Sequence, residues 1–526
     1  MNNKNSLNKS SISTFIVMGT TLFSRVLGFL RTAVISYIFG ASGTADVINL
    51  TFAIPNNLRK LMAEGALSAA FIPVLTETIV EDKKKNTKLT QKVFSNLLGF
   101  QLIIIIPVSV LAIIFAEPIM TNILTQFTNQ EQIDLSVSLF RFFINYLLFI
   151  SISAVIMGLL NSLNHFFIPA LTPVLFSISV LSSIFFLHEK IGVYSMVVGV
   201  LLGGIMQILF QYPKLKQLEY KLLPNFSFNN KYFIKILKQW LPVVAISSLF
   251  TINQQIAFLF SSGLENGSTS ALVNALVFWQ LPFGIFSASI TTVLFPRMSR
   301  QSLENNIEGM RITLNYGIRL LFSLLIPSAL VYMFFGKIII ATALQRGLFT
   351  ADNTIMTYNV LKAYSFGLFS IGGFNFLQRF FYSRRKYYIP FFTALFVCFL
   401  DIVLSLILKE TTLRVSGLAL ANSISFTVGF FILLFLSRKL LHKIDGFLIL
   451  NTVWKVLISV LPASLISIFI LKIIGNSWIN QSVLYNILFL FLIIFVWLST
   501  TLFMYKLTKL EVVDFIFKKR KNYEQV

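Results

Sequence analysis

Six ionisable side chains crowd two apolar stretches near the start of the chain: Arg25 and Arg31 in the first, then Asp46, Arg59, Lys60 and Glu64 in the second. A charge at the centre of a bilayer costs about 2.5–3.5 kcal/mol on insertion scales, so such residues usually face a cavity and serve a function. Arg25 and Arg31 are six residues apart, which on a helix separates them by about 120° and roughly 9 Å along the axis. They can line two walls of one cavity, and Gly28 between them allows a bend or close packing. In the second stretch Pro55 removes a backbone donor and kinks the helix, and Asn56, Asn57, Arg59, Lys60 and Glu64 follow it. Lys60 and Glu64 stand at i, i+4 and can pair. Four bases against two acids leave two positive charges over. Guanidinium groups fit phosphate oxygens bidentately, which makes a diphosphate the natural counter-ion. The competing reading is snorkelling to the interface or purely structural pairing; Arg25, the deepest, fits it least.

Elsewhere the chemistry thins out. Asp401 lies in the middle of an apolar stretch and suits either a proton or cation site or a structural pairing role. Arg141, Arg319, Lys362 and Lys455 are single charges near span ends, where snorkelling accounts for them. His165, His188 and His442 sit in connections with no second ligand nearby, and the one cysteine, Cys398, is buried in an apolar run. Disulfides and metal centres are therefore not expected. There is no phosphate-binding glycine loop, no nucleophile elbow and no carboxylate pair spaced for acid–base work, and the absence of a nucleotide site argues against ATP-driven transport within this chain.

The elements that must position these groups are transmembrane helices. The 526 residues are 56% hydrophobic and only 12% charged, with a mean hydropathy of +0.79. Soluble domains carry about 25% charged residues. Apolar runs long enough to cross roughly 30 Å of hydrocarbon recur throughout, and in lipid such runs are helices because the backbone must satisfy itself. Fourteen spans are predicted, centred on 12–38, 46–78, 93–116, 135–161, 168–187, 192–211, 233–260, 270–296, 312–335, 355–382, 388–408, 415–437, 450–473 and 482–505. The first reads as a retained span, not a removable signal peptide.

The net charge of +23 does not mark a nucleic-acid binder, because the bases are spread over many short connections. With a cytoplasmic N-terminus, twenty-nine of the forty-three Lys and Arg fall in inside segments and six outside, alternating loop by loop. The positive-inside rule then places both termini and the 213–232 connection in the cytoplasm. A faint repeat relates Asn164–Pro169 to Arg385–Pro390, which suggests two parallel six-helix halves.

Beyond these features, Thr20–Arg31 (TTLFSRVLGFLR), Phe39-Gly40, Ala45-Asp46 and Pro55–Pro73 resemble the opening of the MurJ (MviN) lipid II flippases of the multidrug/oligosaccharidyl-lipid/polysaccharide (MOP) exporter superfamily. Gly267-Ser268, Gln280–Gly284 (QLPFG), Leu294–Pro296, Gly347–Thr350, Phe381–Arg384 and Gly417–Leu420 extend the resemblance to about residue 440. It implies an all-α integral membrane protein of MATE-like architecture, with two six-helix lobes around a cationic cavity and two further C-terminal helices beside a groove for the lipid tail. The corresponding segments are an N-lobe over 1–212, a cytoplasmic linker over 213–232, a C-lobe over 233–440, and a C-terminal part over 441–526. Export of lipid-linked peptidoglycan precursor is implied, with Arg25, Arg31 and Arg59 as cavity arginines. Ser24, Lys60 and Gln280 complete the expected substrate-binding set, and Asp46 and Glu64 are the acidic gating partners. Two departures stand out: Val277 replaces a further cavity arginine, and Ala257 replaces a carboxylate that many relatives carry.

The expected function is a lipid II flippase working by alternating access in the bacterial cytoplasmic (inner) membrane, for cell wall synthesis. No cofactor is expected, and coupling to an ion or the membrane potential is left open, with Asp401 as the candidate carboxylate. The expected partners are lipid II, membrane lipids and cell wall synthesis proteins, and no nucleic acid. The alternatives are a flippase for another lipid-linked oligosaccharide, a MATE-type small-molecule exporter, a polyprenyl-phosphate transferase and a non-transporting scaffold. A cationic cargo needs a net acidic cavity, which the first two stretches contradict; a transferase needs a carboxylate cluster that is absent from the loops.

Overall fold

The computed structural model describes residues 2–62, 66–474 and 483–513. Among these, every regular element is a helix, as the unbroken apolar runs require. The chain divides into two compact units, Met1–Thr269 and Ser270–Val526.

The first unit begins with α1 (Asn2–Phe39), α2 (Gly43–Met62), α3 (Ala66–Lys85) and α4 (Leu89–Ile114). The run expected as one span over 46–78 is thus described as two helices, with 63–65 outside the described residues. A one-turn α5 (Ala116–Ile119) and a π-helical turn (Met120–Leu124) lead to α6 (Gln130–Phe143) and α7 (Tyr146–Ser162). Then come α8 (Phe167–Ile191), α9 (Tyr194–Gln217) and α10 (Lys231–Ser262). Two apolar clusters stand out among the described residues of the unit. One gathers Phe71, Phe94, Phe233 and Trp240, from α3, α4 and α10. The other gathers Phe52, Phe143, Tyr146 and Phe176, from α2, α6, α7 and α8.

Polar ties fix α3 at one end of this unit. Glu77 accepts from Lys235 at 2.6 Å, and Glu81 accepts from the Tyr232 hydroxyl and from Lys85. The N-terminal amides of α4 receive no cap from Lys88, so Asp82 supplies it: its carboxylate accepts from the amides of Leu89 and Thr90, each at 2.8 Å, and from the Thr87 hydroxyl. The 218–230 connection lies along α4, where Gln91 and Lys221 exchange hydrogen bonds and Asn96 donates to Ser227.

The second unit contains α11 (Ser268–Pro282), a π-helical turn (Phe283–Ser287), α12 (Ala288–Leu303) and the long α13 (Ile307–Leu344). It continues through α14 (Ala351–Phe366), α15 (Leu368–Ser383), α16 (Tyr388–Leu408), α17 (Val415–Leu441), α18 (Gly446–Ile474) and α19 (Val483–Leu507). Helix α13 is its spine, packing against α12, α14, α15 and α18. Helices α14 and α15 occupy the single span expected over 355–382 and meet at 45°. Gly367 sits at that bend, where a Cβ would stand 2.7 Å from the Ser423 Cα of α17. Only a glycine lets the two backbones approach so closely.

Ten helical segments among the described residues are long and apolar enough to cross a membrane, or eleven with α14 and α15 as one span. The fourteen expected spans exceed this count. Those left out, α1, α2 with α3, and α10, hold the arginines, Asp46 and the Asn253-Gln254-Gln255 run. Much of the apolar surface faces outward: only 22% of the most apolar stretch of α19 is buried within the chain, which leaves the rest for lipid to cover.

Candidate functional site

The described cationic residues of the first unit differ sharply in surroundings. Arg25 is exposed, and Ser24 beside it is half-buried. Arg31 lies one and two-thirds turns further along α1, its guanidinium carbon 5.6 Å from the Phe52 ring centre and 5.5 Å from that of Phe176. Those two rings are stacked at 6.2 Å and 13°, with Phe143 and Tyr146 packed around them. A guanidinium against an aromatic face is stabilised by the ring quadrupole, by about 0.5–2 kcal/mol depending on desolvation. The rings thus fix where Arg31 sits without using its N–H groups, and neither Arg25 nor Arg31 has a hydrogen-bonding partner among the described residues.

Arg59 on α2 is close enough to Arg31 for the two like charges to repel. Its Nε donates to Asn56 Oδ1 at 3.1 Å, one turn back on the same helix. Next to it Asn57, buried, donates to Gln255 Oε1 of α10 at 3.2 Å. Arg31 and Arg59, with Asn56 and the Asn57–Gln255 pair beside Arg59, offer guanidinium donors suited to an anion. The Lys60 side chain and Glu64 lie outside the described residues.

At the opposite end of α2, Asp46 is buried at 3% exposure and accepts from the Gly267 amide at 2.7 Å. Gly267 has φ +95°, and a Cβ there would stand 2.6 Å from the Ala41 carbonyl oxygen. Around this contact Gln126 donates its amide to Ser262 Oγ, and Gln132 donates to Asn266. The α1–α2 turn, the 125–132 segment and the α10–α11 connection therefore close on one another.

In the second unit Gln280 is exposed near the end of α11, and Val277 is half-buried one turn earlier. The following π-helical turn is anchored by Trp279, which stacks on Phe283 at 4.9 Å and donates to the Tyr364 carbonyl. Asp401 is buried in α16 and accepts from Asn422 of α17 at 2.7 Å and from Ser405 at 3.4 Å. No group of three or more His, Cys, Asp or Glu side chains able to hold a metal occurs among the described residues.

Sequence reasoning singled out the arginines but not the rings that seat Arg31. With 56 phenylalanines in the chain, nothing marks Phe52 and Phe176 as special. Gln255 was findable: three consecutive amides in an apolar helix are costly unless paired.

A family model described as lipid II flippase MurJ matches residues 35–489. A probable lipid II flippase MurJ of Borreliella burgdorferi is 35% identical over 477 residues, covering 90% of this chain and 93% of that protein. One from Buchnera aphidicola subsp. Acyrthosiphon pisum is 33% identical over 508 residues, with 95% and 97% covered. A solved lipid II flippase MurJ in an inward closed conformation matches with a TM-score of 0.76 at 27% identity, over 94% of this chain and 99% of that one. An inward-facing MATE multidrug transporter of the MOP superfamily shares the fold, with a TM-score of 0.66 at 17% identity over 81% and 98%. Arginines in the first helices, a membrane-spanning all-helical architecture and these matches over nearly the whole length agree: the chain belongs to the MurJ family of lipid II flippases.

Proposed function

We propose that this chain carries lipid II, the polyprenyl-diphosphate-linked peptidoglycan precursor, from the cytoplasmic to the outer leaflet of the bacterial cytoplasmic membrane by alternating access. It is a transporter and makes or breaks no covalent bond in its cargo. The observation that carries the reading at the level of residues is Arg31, seated against the stacked Phe52 and Phe176 rings with Arg59 nearby and Arg25 exposed six residues earlier on α1. A diphosphate relieves the repulsion among these cations and receives their N–H groups. Ser24, Lys60 and Gln280 are assigned to the polar parts of the same cargo.

Asp46 and Glu64 are assigned to gating: the Asp46–Gly267 contact is one that closes and releases as access alternates. Asp401, held by Asn422 and Ser405, is the carboxylate proposed to take a proton or cation during the cycle. Both termini are placed in the cytoplasm by the distribution of basic loops.

The test is rescue of a strain depleted of its own lipid II flippase, with export of the precursor and membrane abundance measured together. The native chain is expected to restore growth. Arg25→Ala, Arg31→Ala and Arg59→Ala are each expected to insert normally and lose most export, and Arg25→Lys to do little better because a point charge lacks the guanidinium fork. Normal export by all three alanine variants at normal abundance would show the cationic-site reading to be wrong.

A further inference from the structure

A basic cavity lined by none of these residues lies within the second unit, between α13, α18 and the end of α19. It encloses about 110 Å³, and Arg319, Ser323, Asn451, Lys455, Lys509 and Glu511 line it over a floor that includes Leu320. That is room for a small anionic group and not for a whole lipid. Arg319 is 15% exposed and pairs with Glu511 at 3.1 Å, while its Nε is buried with no partner. The ammonium groups of Lys455 and Lys509 have no hydrogen-bonding or ion-pair partner among the described residues. Among the described residues three cations face one carboxylate, which leaves two positive charges without compensation there.

The cavity is built in, not a chance gap at a fraying end. The Tyr505 hydroxyl of α19 donates to the Ser323 carbonyl of α13 at 2.7 Å. Helix α19 then ends by hydrogen bonds from the Lys509 amide to Lys506 and from the Leu510 amide to Tyr505, the paired pattern of a left-handed helix stop. Lys509 occupies the left-handed position, at φ +52°, where glycine is the favoured residue. This turn swings Glu511 back onto Arg319 and leaves the Lys509 side chain at the cavity.

What lies beside the cavity indicates the source of the anion. Phe447, Leu450, Trp454, Ile458 and Leu461 form an exposed apolar stripe along α18, at helical spacing, which acyl chains would cover. Trp454 adjoins Lys455, the pairing of aromatic and cation typical of a membrane–water interface. Basic pockets between helices on the cytoplasmic side suit anionic headgroups.

We infer that this cavity binds the phosphate of an anionic membrane phospholipid, held by Lys455 and Lys509 beside the Arg319–Glu511 pair, with its acyl chains along α18. Only the choice of leaflet rests on the proposed cytoplasmic placement of this end.

The experiment uses the purified full chain in neutral detergent and follows its thermal unfolding while phosphatidylglycerol, phosphatidylcholine or sodium phosphate is added. Phosphatidylglycerol is expected to raise the midpoint and phosphatidylcholine to leave it nearly unchanged. In the Lys455→Gln/Lys509→Gly double variant the phosphatidylglycerol concentration giving half the effect should rise about tenfold or more, the loss expected when a charge-assisted contact goes. Lys509→Gly relaxes the backbone, so loss of response is not loss of folding; Lys386→Gln, a basic change elsewhere, should respond like the native chain. An unchanged response in the double variant overturns the site, as does an equal response to phosphatidylcholine. A full response to sodium phosphate alone assigns the cavity to a free anion and overturns the lipid. A cysteine at Lys506 labelled from outside the cell moves the leaflet and leaves the lipid titration standing, and neither readout depends on export.

Discussion

The seat of Arg31 shows how a single cation can be placed in a membrane protein with no carboxylate paired to it among the described residues. A salt bridge would have neutralised the charge that the proposed role in holding the cargo requires; two aromatic rings stabilise the guanidinium and leave its donors available. Phe52→Leu keeps most of the apolar volume and removes the quadrupole. It is expected to reduce export roughly five- to thirtyfold, the equivalent of about 1–2 kcal/mol, at near-normal abundance, with Phe176→Leu acting in the same direction. Export at native levels by both variants would remove the rings from the mechanism. Asp46 invites a different substitution. Its carboxylate accepts from a backbone amide, a task that an asparagine oxygen also performs, so Asp46→Asn should retain more of the protein's thermal stability than Asp46→Ala. If the two lose export equally while differing in stability, the charge matters for gating beyond its hydrogen bond. The arginines were legible because charge in an apolar run is conspicuous; their aromatic neighbours were not, since a phenylalanine that seats a cation and one that fills a core are the same letter at the same spacing.

Helix termini and breaks are where the sequence spoke least clearly. The second expected span ran through 46–78 as one, whereas the described helices are α2 and α3; the charged stretch that ends α3 gave no sign that Asp82 caps the next helix. Burial pushes the Asp82 carboxyl up, but hydrogen bonds from Thr87, Thr90 and Leu89 outweigh it and hold the group below the usual carboxylate range. A depressed carboxyl contributes stability that is present above its unfolded value, near pH 3.9, and lost as the pH falls through the folded value. Asp82→Ala should therefore lower the unfolding midpoint at pH 7, by an amount matching a helix cap of about 1 kcal/mol. The difference from the native chain should shrink on acidification below about pH 4. A gap that stays constant down to pH 3 would mean that the carboxylate is not the cap. Turn chemistry of this kind is hard to read because the acceptor lies seven and eight residues from its donors, in a different helix.

Across the whole molecule, composition alone established the class: a chain this apolar, with this few charges, is solvated by lipid. The count of spans was less secure. Apolarity admits ten or eleven among the described residues, and the expected spans it passes over are those whose polar side chains serve the site or pair across helices, as Asn57 and Gln255 do. A helix that lines a polar surface cannot also be uniformly greasy. Orientation is checked in intact cells with an impermeant thiol reagent and single cysteines in the otherwise Cys398→Ser chain. Cysteines at Lys84 and Lys216 should stay unlabelled, and one at Glu265, exposed in the α10–α11 connection, should react. Labelling at Lys216 from outside would overturn the fourteen-span topology.

The bend at Gly367 bears on how the chain is made. Helices α14 and α15 have 16 residues each, about 24 Å at 1.5 Å per residue, short of the roughly 30 Å of hydrocarbon. Neither half is a competent stop-transfer segment alone, so the insertion machinery must hold the first until the second has emerged. Arg379, Arg384, Arg385 and Lys386 arrive only with that second half, and by the positive-inside rule they are expected to keep this end of the pair from being translocated. Topogenesis of the segment is therefore decided late, after some thirty residues have been synthesised, by charges that the nascent chain has not yet displayed when its apolar part first meets the bilayer.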